Sequence, residues 1–446
     1  MNQRKNALLI AYYYPPCGMG GVQRAVKLTK YLPQFGWDVT VLTVRDIMYY
    51  QKDNSLLDDI PGSDIQRTGS LDPLRLAYIF THKKNRGLSQ GNNSFLSKRT
   101  SLFQKLYRFI DRYVCIPDSK ILWFPFAVYR GIRIIKQKNI QAIISTAPPF
   151  STHIIALCLS KIGNIPWIAD FRDGWTNSHL YTPKGIYYTI NTFLEKMVLK
   201  NARKVTCYGE PLVSYFSVKQ YVKKCICLYN GFDEEDFTDF SRNESDHFII
   251  TYMGTISKWT DPSIFFPAIT KAVNSDREFK NKLKIEIIGN IMDSHCVKSR
   301  EWTPLASHIS YIGYLPHKDA LKRLSASQML LFPITNDPEG CVVTSKVFEY
   351  IASGVPIMAH IPSDEVRSIV SGYCNEYFLL KDDNNNAKEY ILKLYYRWRK
   401  LQKNGFNRDN MGLANHFKSI QIYSRKHQAQ MVAVVLDEIT AKSEGK

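Results

Sequence analysis

Short apolar runs of strand length alternate along the chain with stretches whose apolar residues recur at helical spacing. Near the start, Ala7–Tyr14 predicts a strand, Val22–Gln34 a helix and Val39–Thr43 a second strand, the opening of a parallel βαβ series. The alternation continues with a strand at Ala142–Thr146, a helix over Ser151–Lys161, a strand at Trp167–Asp170, a helix near Asn191–Lys200, and the strands "KVTCY" and "CICLYN". An acidic, polar stretch, "NGFDEEDFTDFSRNESDH", then interrupts the pattern and reads as a linker. Beyond it come "FIITYMG", a helix from Pro262, "KIEIIG", "HISYIGYL", a helix over Asp319–Ser325, "QMLLFPI", a helix over Ser345–Ser353, and "VPIMAH". Two doubly wound α/β halves are therefore expected: residues 1–230, a linker at 231–247, residues 248–410, and a C-terminal helical segment at 411–446.

The chain has 446 residues, 45% of them hydrophobic, and no apolar run near the ~20 residues of a membrane span, so a globular two-domain protein is expected. Nine cysteines, an odd number without paired motifs, fit a reducing compartment. The N-terminal apolar run ends in tyrosines and Pro-Pro rather than at a small-residue cleavage site, so a first strand is expected there and a cytoplasmic location.

Charge adds a question, because the formal net charge is +19 and proteins this basic usually meet phosphate in nucleic acid, anionic lipid or metabolites. Much of the excess is local. From Pro73 to Ile110, a basic insertion in the first half, there is no acidic residue, while Arg75, Lys83, Lys84, Arg86, Lys98, Arg99, Lys105 and Arg108 fall inside. In "SKRTSLFQKLYRFI", Leu102, Phe103, Leu106 and Ile110 share a helical face with the cations elsewhere. Such a helix either lies on an anionic membrane surface or packs on its own domain with a solvated basic face. Interleaved aromatics at Phe80, Phe95, Phe103 and Tyr107 raise single-stranded nucleic acid as a competitor, the poorest of the readings; no nucleic-acid partner is expected.

Four stretches carry candidate chemistry. In "AYYYPPCGMGGVQRAVK", Gly18, Gly20 and Gly21 stand between a strand and a helix. Their backbone either approaches an anion at the helix N-terminus, needing bare amides or positive φ, or serves connectivity alone. The spacing matches neither the dinucleotide fingerprint nor a P-loop. In "TSKVFEYIASGVPIMAH", Thr344 or Ser345 can cap a helix, Lys346 adds positive charge for a diphosphate, and Glu349 offers a carboxylate to a ribose diol; the alternative is a surface Lys346–Glu349 ion pair. "ADFRDGW" places Asp170, Arg172 and Asp173 at a strand end, where they either orient an acceptor and bind phosphate or pair internally. His153 is expected to be a satisfied or exposed histidine. No Asp-x-Asp motif or His/Cys cluster suggests a tightly bound metal.

Taken in order, "GGVQRAVKLTKYLPQFGWDVTVLT", "IPWIADFRDGW", "LYNGFDEEDF", "YMGTIS" and "TSKVFEYIASGVPI" resemble family 4-like glycosyltransferases of GT-B fold, over most of the chain. The branch most similar builds bacterial capsular and exopolysaccharides, with Ser-Lys-x-Phe-Glu-Tyr at the helix start. The resemblance implies two Rossmann-like domains facing a cleft, an acceptor-binding first domain, a nucleotide-sugar in the second, and a final helix returning to the first. It also implies transfer with retention to an acceptor, here a lipid-linked saccharide at the cytoplasmic face of the inner membrane. The nucleotide-sugar would be a substrate, with no tightly bound cofactor.

Carried over by position, Glu349 would bind the donor ribose, Ser345 and Lys346 would lie near the diphosphate, and the loop at Gly18, Gly20 and Gly21 would close on the donor. Lys258 would be the phosphate partner beyond Gly254, because Thr255 and Thr260 stand where the family commonly has Arg and Lys. Asp170, Arg172 and Asp173 would occupy the catalytic region. The family's first acid would fall at Cys341, with Glu339 nearby. An epimerase acting on nucleotide-sugars and a nonenzymatic sugar-nucleotide binder remain the alternatives: the first would act without an acceptor, the second would bind without turnover.

Overall fold

Alternate residues of the first strand enter different cores. Leu8 and Ile10 join one apolar cluster and Ala7 and Leu9 another, all four fully buried. This is the period-2 geometry of a strand covered on both faces, and it explains the unbroken apolar runs along the chain. The computed structural model describes residues 4–18, 20–45, 47, 51–72, 75, 115–177, 185–237, 245–292, 300–335, 343–381, 383–404 and 413–444. It separates into two units, Met1–Tyr229 with Gln428–Lys446, and Asn230–His427. The helix expected in "SKRTSLFQKLYRFI" lies outside the described residues, as do Glu339 and Cys341.

In the first unit the elements are β1 (Lys5–Ile10), α1 (Val22–Tyr31), β2 (Trp37–Val44), α2 (Ser55–Asp58), β3 (Asp64–Thr68), α3 (Phe124–Lys138), β4 (Ala142–Ala147), α4 (Ser151–Gly163), β5 (Trp167–Phe171), α5 (Ile186–Asn201), β6 (Lys204–Cys207), α6 (Glu210–Val218) and β7 (Cys225–Cys227). The strands form a parallel sheet in the order β3-β2-β1-β4-β5-β6-β7. Helices α3 to α6 cover one face with Ala127, Ile155, Val198 and Phe216; α1 covers the other, joined by Ala429, Val432 and Leu436 from the end of the chain.

Two expected boundaries shift for physical reasons. β1 stops at Ile10 rather than Tyr14, because Tyr12 and Tyr14 leave the ladder yet remain buried, Tyr12 edge-on to Trp123 and Tyr14 bonded to Thr29. Helix α1 stops at Tyr31 because Pro33 lacks the amide needed to continue it, and the chain tightens into a 3₁₀ turn over Leu32–Phe35.

The second unit contains β8 (Phe248–Met253), α7 (Phe266–Ser275), α8 (Arg277–Lys282), β9 (Leu283–Ile288), β10 (Ile309–Gly313), α9 (His317–Ala326), β11 (Met329–Pro333), α10 (Lys346–Ser353), β12 (Ile357–His360), α11 (Asp364–Tyr373), β13 (Tyr377–Leu379), α12 (Asn384–Asn404) and α13 (Leu413–Ser419). Its parallel sheet runs β10-β9-β8-β11-β12-β13. Within this unit His416 donates to the Ile351 carbonyl at 2.7 Å and Tyr423 packs on Phe348. The last helix, α14 (Arg425–Glu444), follows. Each half is thus a Rossmann-like doubly wound sheet, in which ligands are met at the carboxyl ends of the strands.

Candidate functional site

At the carboxyl end of β8 the backbone passes beneath a lysine. A Cβ placed on Gly254 would meet Lys346 Nζ and the Tyr252 hydroxyl, so the lysine lies directly over the bare backbone. Lys346 opens α10, and that helix is tied to β8 by the Tyr350 hydroxyl, which accepts from the Met253 amide at 2.9 Å. Lys346 is partly buried and its ammonium makes no hydrogen bond or ion pair among the described residues. Burial pushes its pKa from 10.5 down to about 8, against the opposing pull of the Glu349 carboxylate.

Ser345 sits in the N-cap position with helical dihedrals (φ −61, ψ −26), but its side chain makes no capping bond, and the buried Thr344 hydroxyl has no partner among the described residues. The start of α10 therefore brings a hydroxyl and an ammonium together at a helix N-terminus, a set that suits an anion.

Glu349, one turn into α10, is not a surface partner for Lys346. Its side chain is 12% exposed and its Oε1 accepts a 2.9 Å hydrogen bond from His317 Nε2, while His317 Nδ1 stands 4.0 Å from Asp236 Oδ2. Neither His317 nor Asp236 is legible as a site residue in the sequence. "GFDEEDF" reads as linker, whereas Glu234–Phe237 forms a 3₁₀ turn that buries Asp236 and Phe237.

Lys258 is exposed, its ammonium 4.4 Å from the Trp259 ring centre. Thr255 and Thr260 hold the loop. The Thr260 hydroxyl donates to the Thr255 carbonyl at 2.7 Å, and the Tyr252 hydroxyl bridges the carbonyls of both. Among the described residues, no group of three or more His, Cys, Asp or Glu could hold a metal ion.

In the first unit the three expected catalytic residues have different surroundings. Asp170 is 2% exposed and fully engaged: Oδ1 accepts from Arg24 and Thr206, and Oδ2 from Thr146, each at 2.7 Å. Burial alone would raise its pKa, but Arg24, the two hydroxyls and Arg172 outweigh it and hold the carboxyl below its ordinary value. Asp170 thus joins α1 to the ends of β4, β5 and β6.

Arg172 is a second anchor. It donates to the Thr146 hydroxyl at 2.9 Å, the Gly21 carbonyl at 2.5 Å and the Pro148 carbonyl at 2.6 Å. Asp173 is exposed beyond the end of β5.

The glycine loop is correspondingly divided. The Gly18 amide donates to the Gln51 carbonyl at 3.0 Å, so it is used within the fold rather than offered to an anion. Gly21 has φ −66, so positive φ is not what it supplies; a Cβ there would strike the Arg172 guanidinium, which its three bonds hold in place. A Cβ on Gly20 would meet nothing within 4 Å. Gly21→Val is expected to lower stability by about 1–3 kcal/mol, the usual range for overpacking, and Gly20→Ala by less than about 0.5 kcal/mol. Chemical denaturation of the two variants checks this, and equal stabilities would contradict it.

His153 is a core histidine whose Nε2 has no hydrogen-bond partner among the described residues. It is fully buried, its Nδ1 lies 2.7 Å from the Ser145 hydroxyl, and its ring packs 4.4 Å from that of Phe171. Burial pushes its pKa from 6.5 down to about 3.

No family model and no curated protein matches the sequence. Solved structures do match across nearly the whole chain. HepE from Anabaena in complex with UDP-glucose is similar at 12% identity and a TM-score of 0.60, covering 97% of this chain and 99% of its own. Sucrose-phosphate synthase from Thermosynechococcus elongatus is similar at 13% identity and a TM-score of 0.62, covering 98% and 100%. A glycosyltransferase from Rickettsia africae is similar at 14% identity and a TM-score of 0.58, covering 98% of each chain. The pair of Rossmann-like units is the GT-B fold of these neighbours.

Proposed function

We propose that the protein is a glycosyltransferase that moves a sugar, with retention, from a nucleotide-sugar to a lipid-linked saccharide in bacterial cell-surface polysaccharide synthesis. The observation that carries this reading is the start of α10: a Lys346 ammonium over Gly254 with no hydrogen bond or ion pair among the described residues, at a helix N-terminus, and the Glu349 carboxylate one turn on. A diphosphate needs donors and positive charge, and a ribose diol needs an acceptor; these stand side by side. The GT-B neighbours, one of them in complex with UDP-glucose, support a nucleotide-sugar as donor.

Chemically, the demand in such a transfer is stabilisation of negative charge on the departing diphosphate, which preorganised amides and an ammonium supply. Ser345 and Lys346 take that role, with Lys258 available on the adjacent loop, and Glu349 holds the nucleoside. The first unit takes the acceptor, with Asp173 and the Gly20 backbone as its exposed groups beside the Asp170–Arg172 anchors. We place the enzyme in the cytoplasm against the membrane, where a lipid-linked acceptor is reached. Among the described residues no helix is long and apolar enough to cross a membrane.

The primary test is a screen of nucleotide-sugars for binding and hydrolysis, followed by lipid-linked acceptors with the best donor. Sugar transfer that requires acceptor supports the reading. Interconversion of the donor sugar without acceptor would replace it with an epimerase, and binding without turnover with a nonenzymatic relative. Glu349→Gln, which keeps the size and the bond to His317 but removes charge, is expected to weaken UDP binding by about 1.5–3 kcal/mol. Calorimetry showing unchanged affinity in a folded variant would remove Glu349 from the donor site.

A further inference from the structure

We propose that His317 is a positioning residue: with Asp236 behind it, it fixes the Glu349 carboxylate so that one oxygen remains for a hydroxyl of the nucleotide ribose. This rests on the reading of Glu349 as the ribose acceptor and adds the means by which the carboxylate is aimed.

Three segments converge to build the arrangement. Asp236 comes from the 3₁₀ turn Glu234–Phe237, His317 is the first residue of α9, and Glu349 lies in α10. Their side chains are 4%, 19% and 12% exposed, so little water reaches any of them. A carboxylate this buried carries a large desolvation cost unless a hydrogen-bond donor meets it. His317 is that donor, through Nε2–H to Oε1 at 2.9 Å. Its other ring nitrogen lies 4.0 Å from Asp236 Oδ2, so the imidazole sits between two carboxylates, with the hydrogen bond on the Glu349 side.

Pro316, at φ −52 and ψ 148, is the N-cap of α9 and sets His317 at its first position. Glu349 Oε2, by contrast, takes no hydrogen bond among the described residues. With Oε1 held by His317, Oε2 is the oxygen left open to accept. If His317 acts this way, its contribution should be felt only by a nucleotide that has ribose hydroxyls to offer.

The experiment uses the full chain and two probes, UDP and 2′,3′-dideoxy-UDP, titrated calorimetrically into wild type, His317→Ala, His317→Gln and Glu349→Gln. His317→Ala is expected to weaken UDP about tenfold, the scale of one charge-assisted hydrogen bond, and to leave the dideoxy probe unchanged. His317→Gln, whose amide N–H can replace Nε2–H, should recover most of the loss. Equal weakening of both probes in His317→Ala, or no weakening of UDP, would overturn the positioning role while leaving a sensitive Glu349→Gln to uphold the ribose reading. If Glu349→Gln were silent toward UDP, the ribose reading itself would fall, and this inference with it.

Discussion

Replacing Lys346 with methionine should make the protein more stable and a much poorer nucleotide binder. The ammonium is partly buried with no hydrogen-bonding partner among the described residues, and its pKa of about 8 against an ordinary 10.5 means that the folded state disfavours the charge. At neutral pH, holding it there costs on the order of 1–3 kcal/mol. The sign follows from proton counts: between about 8 and 10.5 the unfolded chain binds the proton that the folded chain has released. Stability from this group therefore rises with pH across that window and is lowest below it.

Methionine has similar length and no charge, so melting temperature at pH 7 should increase. UDP affinity should fall ten- to a hundredfold, or about 1.5–3 kcal/mol, because the diphosphate loses its closest cation. In wild type the affinity should also decline as pH passes about 8, where the ammonium gives up its proton, and in Lys346→Met that decline should vanish. Calorimetry from pH 6.5 to 9.5 checks both. A pH-independent wild-type affinity, or a destabilised methionine variant, would contradict the assignment.

The largest stability change should come from Asp170→Ala. Removing this carboxylate strands the Arg24 guanidinium, which is only 2% exposed, and leaves the Thr146 and Thr206 hydroxyls without their acceptor. Breaking a buried pair on one side costs about 3–5 kcal/mol, whereas replacing both partners with apolar residues of similar volume is often close to neutral. The double variant Arg24→Met/Asp170→Leu should therefore recover much of what Asp170→Ala loses in urea denaturation. A residue serving only in chemistry would behave differently: the alanine variant would keep wild-type stability and lose turnover.

That contrast shows where the sequence is informative and where it is not. Parallel, doubly covered sheets leave long apolar runs, so the strand and helix alternation is legible in both halves. The candidate site is legible where it is local, as in "TSKVFEY", whose consecutive residues meet at one helix start. It is illegible where contact is tertiary. His317 and Glu349 are 32 residues apart and Asp236 lies in an acidic stretch that reads as linker, so no spacing joins them.

Asp170 shows the converse. Polar residues at a strand end invite a catalytic reading, but all five residues of "WIADF" are buried, so a carboxylate within it has to find its partners inside. Arg24, on the buried face of α1, supplies the countercharge, and nothing in the helix's own pattern announces that role. Helix α12 is not among the expected elements, although Ala387, Ile391, Leu394 and Tyr395 recur at helical spacing and carry its packing.

The two units differ in how they are strung. The first is assembled from both ends of the chain, Met1–Tyr229 and Gln428–Lys446, whereas Asn230–His427 is one uninterrupted run that contains Asp236, Gly254, His317, Lys346 and Glu349. In genetic terms that run is an exchangeable cassette. A single recombination event spanning it would exchange the whole second sheet and all five of those residues together and leave the first sheet unchanged, with no coordinated point mutations elsewhere. Under the proposed function, lineages built on this plan change the activated building block and the molecule that receives it on separate evolutionary schedules.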